Sequence, residues 1–125
     1  MHIKSIITGL LLASLTLPAF AEGDADKGKK IFKKCKACHA IGEGAKNKVG
    51  PDLTGVVGAL YGANPTFKYS KAMKAKNEEG VVWTNENLTA FLTKPRKAVP
   101  KTKMSFSGLK KPQDIEDIIA YLASF

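Results

Sequence analysis

Hydrophobic positions divide the chain into unlike stretches. Behind Met1, His2, Ile3 and Lys4 comes a mostly apolar run from Ile6 to Leu17, which ends at Pro18 and the small-residue pattern Ala19-Phe20-Ala21. A basic start, a short apolar centre and a small-residue ending describe a secretory signal peptide, with cleavage expected after Ala21. The run is shorter than the roughly 20 apolar residues that a spanning helix needs, so the mature chain, residues 22–125, is not expected to span a membrane. From Asp24 the pattern becomes helical. Ala25, Gly28, Ile31, Phe32 and Cys35 recur on one face, and Lys27, Lys29, Lys30, Lys33 and Lys34 fill the other, which predicts an amphipathic helix capped by Asp24. Glycine inside a helix costs about 1 kcal/mol relative to alanine, so Gly28 suggests close approach by a second helix.

That partner is expected at the other end of the chain. Pro112 suits a first helical position, Asp114, Glu116 and Asp117 suit the first turns, and Ile115, Ile118, Ile119 and Leu122 make one apolar stripe. A third helix is predicted from a Thr84 cap, with Leu88, Phe91 and Leu92 inward and Pro95 as its stop. A short helical patch surrounds Ser70 to Lys74. The glycine-rich stretch from Gly42 through Gly62 lacks strand alternation and reads as loop. The pattern predicts one all-α domain over 22–125, with about three longer helices and one short one. Loops of such length in a small domain need something to support them.

Charge narrows the choice of partner. The chain holds 20 Lys and Arg against 11 Asp and Glu, a net charge of +9, which becomes +8 once Lys4 leaves with the leader. Such a surface seeks an anionic partner. An exported chain meets little nucleic acid, and lysines spread along the whole sequence form no binding stripe, so no nucleic-acid role is expected. Acidic protein surfaces are the better match.

Export makes a disulfide the default fate of two cysteines. Cys35-Lys36-Ala37-Cys38-His39, however, reads C-x-x-C-H, the attachment pattern of c-type haem. Two thiols three positions apart in one helical turn each reach a vinyl group at the porphyrin edge. His39 then faces the iron as proximal ligand. A redox dithiol would need a βαβ setting that is absent from the pattern, and a zinc site would need four ligands where the mature chain has two cysteines and one histidine. With His2 gone no second imidazole remains, so the other axial ligand is sought among the thioethers of Met73 and Met104. Met104 is preferred. It lies in the proline-started loop Pro100 to Phe106, with Gly108 permitting the turn out, whereas Met73 sits in a helical patch where methionine usually fills core space.

Taken together, Gly28 and Phe32, Cys35 to His39, Gly50-Pro51-Asp52-Leu53, Phe67-Lys68-Tyr69-Ser70, Trp83, Leu88, Thr93 to Lys97, Pro100 to Phe106 and Ile118 to Leu122 resemble class I cytochromes c across the mature chain. Within that family the likeness is to the mitochondrial protein and the bacterial cytochromes c2. The resemblance implies one covalent haem c inside three to five helices, held by Cys35 and Cys38 with His39 and Met104 as iron ligands. It further implies that the Pro51 carbonyl accepts from His39 Nδ1–H, that Tyr69 and Trp83 hydrogen-bond a propionate, and that Thr102 does likewise near the methionine loop. Three positions depart from the family's habit. Ala59 stands where arginine is common, Phe91 where tyrosine is common, and Met73 where a polar residue is common. The first should lower the reduction potential, the second removes a donor to the methionine sulfur, and the third dries the pocket.

What the resemblance implies about function is a non-enzymatic, monomeric electron carrier in the periplasm. Its iron is closed to substrate, unlike that of a haem enzyme or gas sensor. Lys34, Lys36, Lys94, Lys97, Lys101, Lys103 and Lys110 would ring the exposed haem edge and meet acidic docking surfaces of membrane redox complexes. Those implied are a cytochrome bc1 donor and either a terminal oxidase or a photosynthetic reaction centre as acceptor.

Overall fold

The computed structural model describes residues 23–125 and the single residue Gly9. The expected leader, Gly9 apart, and its cleavage after Ala21 lie outside the described residues. No helix among the described residues is long and apolar enough to cross a membrane.

The architecture is all-α: α1 (Ala25–Ile31), α2 (Lys71–Glu78), α3 (Asn85–Thr93), α4 (Pro95–Ala98) and α5 (Pro112–Ala123). Among the described residues there are five helices, within the three to five that the resemblance implies and one more than the helical pattern alone marks out. The first is also shorter than its apolar pattern. It stops at Ile31 and tightens into a 3₁₀ turn over Phe32–Lys34, so the apolar spacing continues through Cys35 while the hydrogen-bond pattern changes. Pro95 ends α3 as predicted, but it also opens α4. Its fixed φ and missing N–H suit a first helical position, so one residue both stops a helix and starts the next. The glycine-rich stretch is loop, except that Leu60 forms an isolated antiparallel bridge with Val82.

The predicted caps Asp24 and Thr84 form, and Ser70 adds one that was not predicted. Asp24 accepts from the N–H groups of Asp26 and Lys27, Thr84 accepts from Asn87 N–H, and Ser70 accepts from Met73 N–H. Pro112 is the first residue of α5. All four members of the α5 stripe are buried, and they join Phe32, Leu88, Phe91, Val99 and Leu109 in one core. Each such aliphatic side chain contributes about 1.5–3 kcal/mol by leaving water.

Helices α1 and α5 cross where Gly28 lies. A Cβ there would run into the Asp117 carbonyl oxygen and stand 2.7 Å from Tyr121 Cβ. The crossing is also pinned by polar groups. Buried Asp117 accepts from Asp24 N–H at 2.8 Å and from Gln113 Nε2 at 2.9 Å, and the Asp24 bond, followed by that from Gln113, holds its carboxyl below the ordinary aspartate range. Phe32 adds an aromatic contact with Tyr121, ring centroids 5.4 Å apart.

Because backbone, unlike a flexible side chain, cannot move aside, Gly28→Ala is expected to lower stability by about 3 kcal/mol, the upper end of overpacking costs. Denaturant unfolding of the haem-loaded protein measures this, and an unchanged midpoint would show that the two backbones do not touch there.

Candidate haem site

Residues 35–39 form a turn. Cys38 N–H donates to the Cys35 carbonyl at 3.1 Å and His39 N–H to the same carbonyl at 2.8 Å, which places both thiols and the imidazole on one short rigid piece of backbone. Gly50 N–H then reaches back to the Cys38 carbonyl at 2.8 Å, bringing the following loop beside the histidine. A side chain on Gly50 would overlap the His39 ring, 2.8 Å from each ring nitrogen, so backbone alone fits against this face.

His39 is oriented as the sequence implied. Its Nδ1 lies 2.7 Å from the Pro51 carbonyl oxygen. A carbonyl only accepts, so Nδ1 carries the proton and Nε2 is left as the free lone pair. Burial pushes the His39 pKa down, the Pro51 bond opposes that, and Lys48 adds to the lowering. The imidazole is thereby neutral, the form in which a metal is bound. Cys35 and Cys38 are not joined to each other, and burial raises the Cys35 pKa, with Lys34 opposing and Cys38 assisting.

These groups open onto a cavity of about 840 Å³. Cys35, Cys38, His39, Pro51, Tyr69, Trp83, Thr102 and Met104 all line it, as do Ala59, Phe91 and Met73. Every site residue expected from the sequence is thus brought to one space, although the residues come from α2, α3 and several loops. Phe32, Leu88, Ile118 and Leu122 supply apolar wall, and the size is that of a cofactor site. Among the described residues there is no group of three or more His, Cys, Asp or Glu placed to hold a metal ion.

The donor set suits a haem. Two thiols and one imidazole share a wall, a thioether stands on a loop of the same cavity, and polar hydrogens are few. Tyr69 accepts from Asn64 N–H at 3.1 Å, which leaves its own hydroxyl proton for another acceptor. The Trp83 ring N–H has no acceptor among the described residues. Thr102 also braces the methionine loop from within: its hydroxyl oxygen accepts from Met104 N–H at 3.3 Å, which leaves its own proton, like that of Tyr69, for another acceptor.

The sequence reading missed two features. Asn47 accepts from Asp52 N–H and from Asn64 Nδ2 and donates to Thr66, tying the loop after His39 to the loop before Tyr69. Asparagine in a glycine-rich stretch signals a turn, and nothing local reveals a bond across 17 residues. Tyr61 is the second. It is 4% exposed and lies flat on Trp83.

The methionine loop begins with a turn in which Thr102 N–H meets the Val99 carbonyl at 3.0 Å, with Pro100 and Lys101 between them. Lys101 has φ 66°, the only positive φ outside glycine among the described residues. Proline second and positive φ third is the pattern of a type II turn, where glycine is usual. Lys101 is exposed and buries nothing by its side chain.

The family described as Cytochrome c matches residues 25–125. A cytochrome c2 of Afifella marina is 54% identical over 98 residues, 78% of this chain and 79% of that one. A cytochrome c2 of Rhodomicrobium vannielii is 45% identical over 123 residues, 97% of this chain and 96% of the other. Among solved structures, that of cytochrome c2 from Rhodospirillum centenum superposes with a TM-score of 0.76 at 44% identity, covering 82% of this chain and 98% of that one.

Lys101→Gly is expected to stabilise the haem-loaded protein by up to about 1 kcal/mol, because relief of left-handed strain exceeds the added freedom of the unfolded chain. Thermal unfolding checks the sign; a lower midpoint would show that the lysine is not strained.

Proposed function

The chain belongs to the cytochrome c family, whose cofactor is covalently bound haem c, and on that footing we propose that it is a one-electron shuttle of the periplasm, running between membrane redox complexes. Bound haem c supplies a ferrous–ferric couple. Cys35 and Cys38 would anchor it through thioether links, and His39 would offer Nε2 from the ring that Pro51 orients. Met104 offers its sulfur from the loop that Val99, Pro100 and Thr102 shape. Met73 lines the same cavity, but its backbone is committed to the first turn of α2 through Ser70. The observation that carries the reading is that His39 and Met104 open onto one apolar cavity. His39 and Met104 would both be held by the iron, which would leave no place for a substrate and would suit electron transfer rather than catalysis or gas binding.

Tyr69 and Trp83 would offer polar hydrogens to the propionates, whose charge would otherwise be costly inside an apolar wall. Lys34, Lys36, Lys94, Lys97, Lys101, Lys103 and Lys110 are all exposed. The single ion pair among the described residues is Lys76 with Glu79, so these seven are free to attract an acidic partner. The partners we infer are a bc1-type donor and a terminal oxidase or photosynthetic reaction centre, met as a monomer. The basic surface and the likeness to cytochromes c2 support that reading. The leader over residues 1–21, cleaved after Ala21 to leave a single domain over 22–125, accounts for the periplasmic setting. The match to the Rhodomicrobium vannielii protein over 97% of this chain takes in that amino-terminal segment.

The ferric protein should show the weak absorption at the red edge of the visible that marks sulfur ligation. Met104→Ala should abolish it and lower the midpoint potential, while Met73→Ala should keep it; the reverse result would transfer the ligand role to Met73. Electron transfer to isolated membrane complexes should slow steeply as salt is raised, since opposite charges attract less through screening ions. Rates indifferent to ionic strength would remove the lysine steering from the account.

A further inference from the structure

Trp83 lines the cavity, yet a ring packed against it is not on the cavity wall. Tyr61 lies against it with ring centroids 3.5 Å apart and planes 15° from parallel. Leu60 and Gly62 line the cavity, whereas Tyr61 between them does not. The tyrosine therefore sits behind the indole. Phe91 meets the indole as well, at 5.0 Å and 58°.

Aromatic pairs left to themselves prefer offset or edge-on arrangements, with centroids about 4.5–7 Å apart. Full overlap at 3.5 Å is imposed from elsewhere. The backbone supplies the constraint. Tyr61 N–H donates to the Val81 carbonyl at 2.9 Å, Trp83 N–H to the Ala59 carbonyl at 2.8 Å, and Gly58 N–H to the Trp83 carbonyl at 2.9 Å. Asn77 Nδ2 from α2 adds a bond to the Tyr61 carbonyl at 2.8 Å. Residues 58–61 and 81–83 are thereby laced together, and the isolated bridge of Leu60 with Val82 is part of that lacing. Both rings grow from this one clamp, which fixes the spacing of their backbones and leaves the plane of each ring to the ring beside it.

We propose that Tyr61 is a positioning residue, which fixes the plane of Trp83 and so the direction in which its N–H meets a haem propionate, and by that route sets the balance between the ferrous and ferric states. This rests on the reading that Trp83 donates to a propionate. A propionate that loses a donor keeps more of its negative charge near the iron, and negative charge favours the ferric state. Tyr61 needs its ring for this and not its hydroxyl.

The test uses the haem-loaded protein with Tyr61→Leu, Tyr61→Phe, Trp83→Phe and the double variant Tyr61→Leu/Trp83→Phe. Each is followed by redox titration, by the NMR resonance of the Trp83 ring N–H where Trp83 remains, and by thermal unfolding. Tyr61→Leu should shift the ferric to ferrous ratio at fixed potential toward ferric by about threefold or more, the scale of a weakened hydrogen bond to a charged group, and should move the indole resonance. Tyr61→Phe should leave both where they are. In the Trp83→Phe background the leucine change should add nothing to the ratio, although it still lowers the unfolding midpoint. If Tyr61→Leu does not retain haem, Tyr61→Met takes its place with the same criteria. An unmoved ratio in Tyr61→Leu, or an equal shift with and without Trp83, overturns the positioning role. An unmoved ratio in Trp83→Phe itself overturns the propionate reading beneath it.

Discussion

The first and last helices of the described residues touch backbone to backbone, and the rest of the molecule depends on that contact. With no side chain at Gly28, α1 settles onto the Asp117 carbonyl of α5, while Asp117 itself binds back to Asp24 N–H. Residues 24–32 are thereby fixed against residues 113–122, and everything between becomes a closed circuit. Helix α3 packs on α5 and α4, and the remaining loops are drawn round the space inside. The circuit delivers Phe32, Ile118 and Leu122 to the cavity wall from opposite ends of the sequence.

Inside the circuit, regular secondary structure is sparse where the chemistry lies. The segment from Cys35 to Ser70 has no α-helix, and main-chain groups and short polar side chains do the work of a ladder. Gly50 N–H to Cys38, Leu53 N–H to Ala40, Asp52 N–H to Asn47 and Asn64 N–H to Tyr69 hold four loop crossings in register. Such a loop is stable only if its apolar side is covered. A haem c held in the cavity would cover it, so cofactor and loops would stabilise one another, and the His39 imidazole is aimed by the Pro51 carbonyl.

The three positions expected to depart from the family's habit, Ala59, Phe91 and Met73, all line the cavity. Ala59 brings no cation to it, while its carbonyl is used in the clamp that holds Trp83. Phe91 brings a ring without a hydroxyl and leans on Trp83 instead. Met73 fills space opposite Gly62 with a flexible apolar chain. Fewer charges and fewer polar hydrogens make a drier wall, in which the field of each remaining donor is felt more strongly. Tyr61 belongs with this group, as an aromatic backing for the one indole.

Much of this was legible along the chain, for a physical reason: caps, helical stripes and the C-x-x-C-H spacing are encoded within a turn or two. Asp24, Thr84, Pro112 and the stripe from Ile115 to Leu122 behave in the structure as their local pattern requires. Gly28 announced a neighbour by lacking a side chain, though not which atom it would meet. Tertiary structure decided what local pattern leaves open. It broke the first helix at Ile31, let Pro95 begin α4 as well as end α3, and turned Thr102 toward Met104 N–H. It also laid Tyr61 upon Trp83 and tied Asn47 to Asn64. Those choices belong to pairs far apart in sequence, whose energies exist only once closure of the chain has brought them together, and no spacing within one segment carries that information.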